Sequence, residues 1–182
     1  MNLSILGARL LFGRPLRELK NRAVTLEDVF GRDGDRLVQQ VHDAPSWDAR
    51  FAVLDRELAA RIRSAKAPPP AVLCAWSRIV ASSGRARISG IVDEAGWSQK
   101  HLIARFREEI GLSPKTLARV LRFGRAVQII KEGGAQLSEI AYGCGYYDQA
   151  HFTRDFRAFA GVTPTDLIAS QLPDRGGFAA GG

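Results

Sequence analysis

The chain has 182 residues, 46% of them hydrophobic and 25% charged, which is the composition of a folded globular protein rather than a disordered one. Its net charge of +7 suits a protein that neutralises phosphates, but no basic tail carries the excess, so a binding surface must come from folded geometry. No apolar run reaches the ~18 residues of a membrane span, and the N-terminus lacks a basic region followed by an apolar stretch, which predicts a soluble, cytoplasmic protein.

Along the chain, Thr25-Leu26-Glu27-Asp28 reads as a capped helix start, and Leu37, Val38 and Val41 mark a short amphipathic piece. Ser46 caps a predicted helix in which Trp47, Phe51, Leu54, Leu58 and Ile62 form one apolar stripe. Period-2 alternation is almost absent, so no strands are predicted and the fold class is all-α. Residues 1–66 therefore form a helical segment with too little to bury for a core of its own. It is expected to pack on the rest of the chain, to pair with another chain, or to be the remnant of a larger domain. Pro68-Pro69-Pro70 breaks the pattern and makes 67–70 a stiff linker. A compact block follows over 71–172, and 173–182, rich in Gly and Ala, is expected to be a flexible tail.

Within the block the sequence repeats itself. Ile88 through Leu117 aligns with Leu137 through Leu167 at an offset of 49 residues, then 50 after one inserted residue, Tyr147. Ten pairs are identical: Ser89/Ser138, Ile91/Ile140, Gly96/Gly145, Gln99/Gln149, His101/His151, Phe106/Phe156, Arg107/Arg157, Gly111/Gly161, Pro114/Pro164 and Leu117/Leu167. In each copy a short helix (Ile88 to Ala95; Leu137 to Cys144) stops at a glycine, a turn carries Trp97 or Tyr146, and Ser98 or Asp148 caps a second helix. That helix stops at Gly111 or Gly161, and Ser113-Pro114 or Thr163-Pro164 starts the next. Two helices joined by a short glycine-containing turn make a helix-turn-helix.

The second helix of each copy has two faces. Leu102 and Phe106 point inward in the first, with Lys100, Ala104 and Arg107 nearly opposite and Ile103 beside them. Phe152, Phe156 and Phe159 point inward in the second, with Ala150, Thr153, Arg154 and Arg157 outward. Small residues mixed with Arg or Lys let a helix lie close to base edges and phosphates. Gln99 and Gln149 stand at the helix starts, within reach of phosphate or base. Pro114 to Lys131 reads as one long helix of about 27 Å. A connector of that length can hold two such helices about one DNA turn, roughly 34 Å, apart.

Catalysis is not indicated. Three scattered histidines and no nucleophile motif give no convergent site, so the chain is read as no enzyme, with no cofactor. Cys74 and Cys144 share no metal-binding spacing and read as free thiols, so no metal is expected either.

Ile140-Ala141-Tyr142-Gly143-Cys144-Gly145-Tyr146-Tyr147-Asp148-Gln149-Ala150-His151-Phe152-Thr153-Arg154-Asp155-Phe156-Arg157, with Gly161-Val162-Thr163-Pro164, resembles the C-terminal DNA-binding domain of the AraC/XylS family of bacterial transcription regulators. His101 through Phe106 and Gly111-Leu112-Ser113-Pro114 match the first unit of that domain. The resemblance covers about residues 71–172. It implies seven helices with two helix-turn-helix units joined by a long central helix, double-stranded DNA as partner, and regulation through contact with RNA polymerase. By position it puts base contacts on Lys100, Ile103 and Ala104, and on Ala150, His151 and Arg154. Ile103, Ala104 and Ala150 depart from the family's usual polar equipment, which leaves direct readout to Lys100, Arg154 and His151 and apolar contacts to thymine methyls.

Gly7 to Arg22 and Val24 to Gly31 also resemble the helical tail of the sensor region that precedes some AraC-type domains. The β-barrel that precedes such a tail is not expected within this sequence, whether through truncation or for want of a complete effector pocket, and no small-molecule effector is assigned. The expected function is sequence-specific DNA binding in transcription regulation, with a homodimer through the N-terminal helices as a further partner. The alternative is a truncated regulator acting as an interaction module that pairs with a full-length one.

Overall fold

The computed structural model describes residues 4–19, 22–133 and 135–170, without the side chains of 93–95. The expected flexible tail, 173–182, lies outside the described residues. Every regular element among them is helical: α1 (Ile5–Phe12), a 3-10 turn (Leu16–Leu19), α2 (Leu26–Phe30), α3 (Arg32–Asp43), α4 (Trp47–Ser64), α5 (Pro70–Ala81), α6 (Ile88–Ala95), α7 (Gln99–Ile110), α8 (Pro114–Glu132), α9 (Leu137–Gly143), α10 (Gln149–Ala160) and α11 (Pro164–Ser170). The seven helices from α5 onward match the number that the resemblance implies.

Two compact units divide the chain. The first joins the residues up to Leu73 with Trp97–Ser113, and the second joins Cys74–Gly96 with the chain from Pro114 onward. The boundary passes through the turn between α6 and α7, so α7 belongs with the N-terminal helices.

In the first unit local capping sets the helix starts. Ser46 Oγ accepts from the Ala49 N–H at 3.2 Å. Thr25 and Asp28 close a capping box on α2, and hydrogen bonding from the Thr25 backbone N–H and then its side chain holds the Asp28 carboxyl below its ordinary range. The core is small: Leu11, Val29 and Phe30 are buried, with Phe12, Leu19 and Leu58 against them. α1 and the Leu16–Leu19 turn pack on α7. There Arg9 Nε donates to Glu109 Oε2 at 2.7 Å, with both side chains more than nine-tenths buried. The α4 stripe is covered only in part. Leu54 and Leu58 are half-buried, whereas Trp47, Phe51 and Ile62 remain exposed, because α3 and α1 reach only one side of the helix.

The second unit builds a larger core from Ala126, Ile130, Ile140, Ala141, Cys144, Tyr146, Phe152, Phe156 and Leu167. Its rings meet edge to face: Phe123 stands 5.0 Å from Phe156, and Phe152 5.6 Å from Phe156. Burial pushes the Cys144 thiol up and the Tyr146 phenol up to about 12. Phe159, expected inside, is 37% exposed; it lies against Phe123 at the end of the core, with the Arg119 guanidinium over its ring. α9 ends at Gly143, one residue before the expected Cys144, which caps it in right-handed geometry with its N–H donating to the Ile140 carbonyl before Gly145 turns the chain. A contact invisible in the sequence fixes Gly84: at φ +80° its position would put a Cβ 2.2 Å from the Ala118 carbonyl oxygen on α8. No L side chain fits there.

Two predictions test these cores. Removing Arg9 leaves Glu109 out of water with only Arg105, 3.9 Å away, beside it, so Arg9→Met should cost about 3 kcal/mol, while Arg9→Met with Glu109→Leu should recover most of that loss. Urea unfolding of the three proteins measures it, and equal loss in single and double variants would show the pair to be mere packing. Phe106→Ala and Phe156→Ala, both at fully buried positions, should each cost about 3–5 kcal/mol in the same assay. A variant that unfolds like the parent would place its ring outside the core.

Candidate nucleic-acid interface

α7 and α10 are the second helices of the two repeats, and the chain sets their ends in the same way. Gly96 and Gly145 take φ of +64° and +79°, the left-handed geometry that turns the chain out of the preceding helix. Ser98 Oγ then accepts from the His101 N–H at 3.3 Å, and the Asp148 carboxylate accepts from the His151 N–H at 2.6 Å. Both helices close on a glycine, Gly111 and Gly161, whose N–H returns to Arg107 or Arg157 at 2.9 Å.

The inward faces anchor each helix through apolar residues and one buried acid. Leu102, Phe106 and Ile110 hold α7 together with Glu109; Phe152 and Phe156 hold α10 together with Asp155. Asp155 receives Arg119 from α8 in a fork, Nε at 3.1 Å and Nη2 at 2.9 Å, and this pairing raises the Arg119 pKa further. The sequence reading missed Arg119, Asp155, Arg9 and Glu109. Only the lone acid inside an otherwise apolar face, Asp155 between Phe152 and Phe156, hinted at any of them.

The outward faces carry the sequence-predicted residues. On α7, Gln99, Lys100, Ala104 and Arg107 are exposed and Ile103 is half-buried; together these five line one shallow, open depression of about 610 Å³. On α10, Gln149, Ala150, Arg154 and Arg157 are exposed, with Thr153 and His151 half-buried. Among the described residues Lys100, Arg107, Arg154 and Arg157 form no salt bridge, whereas Arg9, Arg105 and Arg119 all do. Arg9 and Arg119 meet the buried acids of the two helices, whereas Lys100, Arg107 and Arg154 on the outward faces make no ion pair among the described residues. Hydrogen bonds from Thr163, helped by nearby Arg157, hold the Asp166 carboxyl below its ordinary range.

The paired histidines sit at the margin between faces. His101 stacks flat on Trp97 at 4.3 Å, and His151 meets the Tyr146 ring edge-on at 5.3 Å with Asp155 4.0 Å away. Each ring is therefore steadied by the aromatic residue of its own turn. Tyr147, the one residue by which the second turn exceeds the first, is 93% exposed.

The sequence matches the family described as "Helix-turn-helix domain" over residues 91–170. The transcriptional regulator GadX of Escherichia coli O6:H1 is 34% identical over 95 residues, which is 50% of this chain and 34% of that protein. The transcriptional activator RhaS of Escherichia coli O9:H4 is 29% identical over 77 residues, 42% of this chain and 28% of that protein. The chain thus spans about a third of the length of these curated relatives. Two solved structures share the fold. The C-terminal domain of AraT, a response regulator from Geobacillus stearothermophilus, superposes with a TM-score of 0.53 at 22% identity over 58% of this chain and 89% of its own. The DNA-binding domain of AdpA, solved with a target DNA, gives 0.50 at 19% identity over 56% and 91%. The matched stretch, residues 91–170, takes in both duplicated turns and the second helix of each repeat.

Proposed function

We propose that the chain is a sequence-specific DNA-binding transcription regulator. It sets α7 and α10 into successive major-groove segments of double-stranded DNA. The observation that carries this reading is the contrast between the cations on the buried acids of both helices and the outward Lys100, Arg107 and Arg154, which make no ion pair among the described residues. Unpaired Arg and Lys beside small residues are what close approach to phosphates and base edges requires. In this reading Lys100, Arg154 and His151 address bases; Gln99, Gln149, Thr153, Arg107 and Arg157 address the backbone; and Ile103, Ala104 and Ala150 lie against thymine methyls.

The cytoplasm is the compartment this work requires, and no helix among the described residues is long and apolar enough to cross a membrane. Contact with RNA polymerase belongs to the same reading. So does pairing of two chains through the N-terminal helices, which the exposed Phe51 and Ile62 of α4 support. The interaction-module alternative is not favoured, since the similar proteins are transcriptional regulators and residues 91–170 match a helix-turn-helix domain.

Selection from a random duplex library tests the reading directly. A bound consensus should emerge, and log affinity should fall linearly with log salt at a slope of about −0.9 per phosphate met. No consensus, or affinity indifferent to salt, refutes it. Repeating the selection on variants separates the roles. Arg154→Ala should cost about 1–3 kcal/mol on the best site and relax preference at one or two base pairs, because a guanine's O6 and N7 accept an Arg fork. Arg107→Ala and Arg157→Ala should instead weaken all sequences alike. Uniform weakening by Arg154→Ala would move that residue to the backbone.

A further inference from the structure

The first unit contains an open groove of about 480 Å³ between α2, α3 and α4. Phe30, Leu54 and Leu58 lie along it, and Trp47, 69% exposed, and Val38, 52% exposed, stand beside them. Large side chains left in water along one concavity mark a binding site rather than ordinary surface. The volume lies in the range of small-molecule sites.

The charge in the groove is specific. Arg50 is the one Arg or Lys among the residues that line it, His42 lies in the same lining, and none of them is acidic. Its guanidinium lies 5.0 Å over the Trp47 ring. Its Nε is sealed from solvent and has no hydrogen-bond partner among the described residues. A buried donor without an acceptor is costly, and a planar Arg fork fits a carboxylate. We propose that this groove binds a small soluble amphiphile, an apolar body ending in one carboxylate. The apolar body lies along Phe30, Leu54 and Leu58 under Trp47, and the carboxylate meets Arg50.

A second copy of the chain is the competing occupant. A twofold interface centred here would set the same patch against itself, Arg50 facing Arg50, with no acid in the lining to separate them. The charge therefore favours the carboxylate.

The test uses the full chain and no DNA, so its failure leaves the DNA-binding reading untouched. Decanoate, decanol and decylamine, all kept below micelle concentrations, are titrated while the Trp47 indole N–H is followed by NMR. That signal is identified by its loss in Trp47→Phe. Decanoate should move it and bind at least tenfold more tightly than decylamine. Arg50→Glu, checked for an unchanged circular dichroism spectrum, should reverse that order. The parent's ligand series stands alone if the variant does not fold. Equal binding of all three probes, or no change at Trp47 with any of them, overturns the proposal. So does a dimer in sedimentation that Leu54→Arg disperses and decanoate does not.

Discussion

Glu109 and Asp155 are carboxylates that folding takes out of water, one on each helix of the candidate interface. Left alone, either would have to take up a proton or pull its helix outward. Arg9 meets the first from α1 and Arg119 meets the second from α8. These pairs are poor sources of net stability, because desolvating both charges consumes most of what their attraction returns. Their value is positional. An apolar face tolerates small sliding and rotation, but an arginine fork on a carboxylate does not, so each helix presents its outward side at a fixed angle. The exposed Lys and Arg positions inherit their placement from these buried contacts.

Much of this was legible in the sequence because it is local. Gly96, Ser98, Gly145 and Asp148 write turn and cap within four or five residues, and the duplication writes them twice. The inward Phe106 and Phe156 follow from helical period alone. The ion pairs were not legible, since Arg9 lies 100 residues from Glu109, and Arg119 lies 36 from Asp155. Periodicity also says which face is apolar without saying how far a neighbour covers it. That is why Trp47 and Phe51 head a convincing stripe and still stand in water, and why Phe159, in register with Phe152 and Phe156, emerges where the core ends. The roles of individual residues at bases or phosphates depend on a partner surface that no side-chain pattern contains.

The two copies share a frame and differ in equipment. α7 offers Lys100 and Arg107 around the apolar Ile103 and Ala104, whereas α10 offers Thr153, Arg154 and Arg157. Their histidines are supported differently too, by a flat stack in the first and by an edge contact near a carboxylate in the second. The two copies keep the turns, the Phe106/Phe156 ring and the outward Gln99/Gln149 and Arg107/Arg157. They differ on both faces elsewhere: Leu102 against Phe152 and Glu109 against Phe159 on the inward side, Lys100 against Ala150 and Ala104 against Arg154 outside.

The Arg9–Glu109 contact bears on how freely such a chain can be recombined. A cut at Pro68–Pro70 looks harmless on paper, since it falls in a connector between helices. It would take with it Arg9, the nearer of the two cations on Glu109, leaving only Arg105 at 3.9 Å, and also Leu16, which packs against Gly111 at the end of α7. A different N-terminal segment grafted at that point would have to bring its own positive charge to the same spot, or tolerate a loosened α7. The first helix-turn-helix is therefore no interchangeable cassette. Its second helix is held to the N-terminal helices by that buried contact.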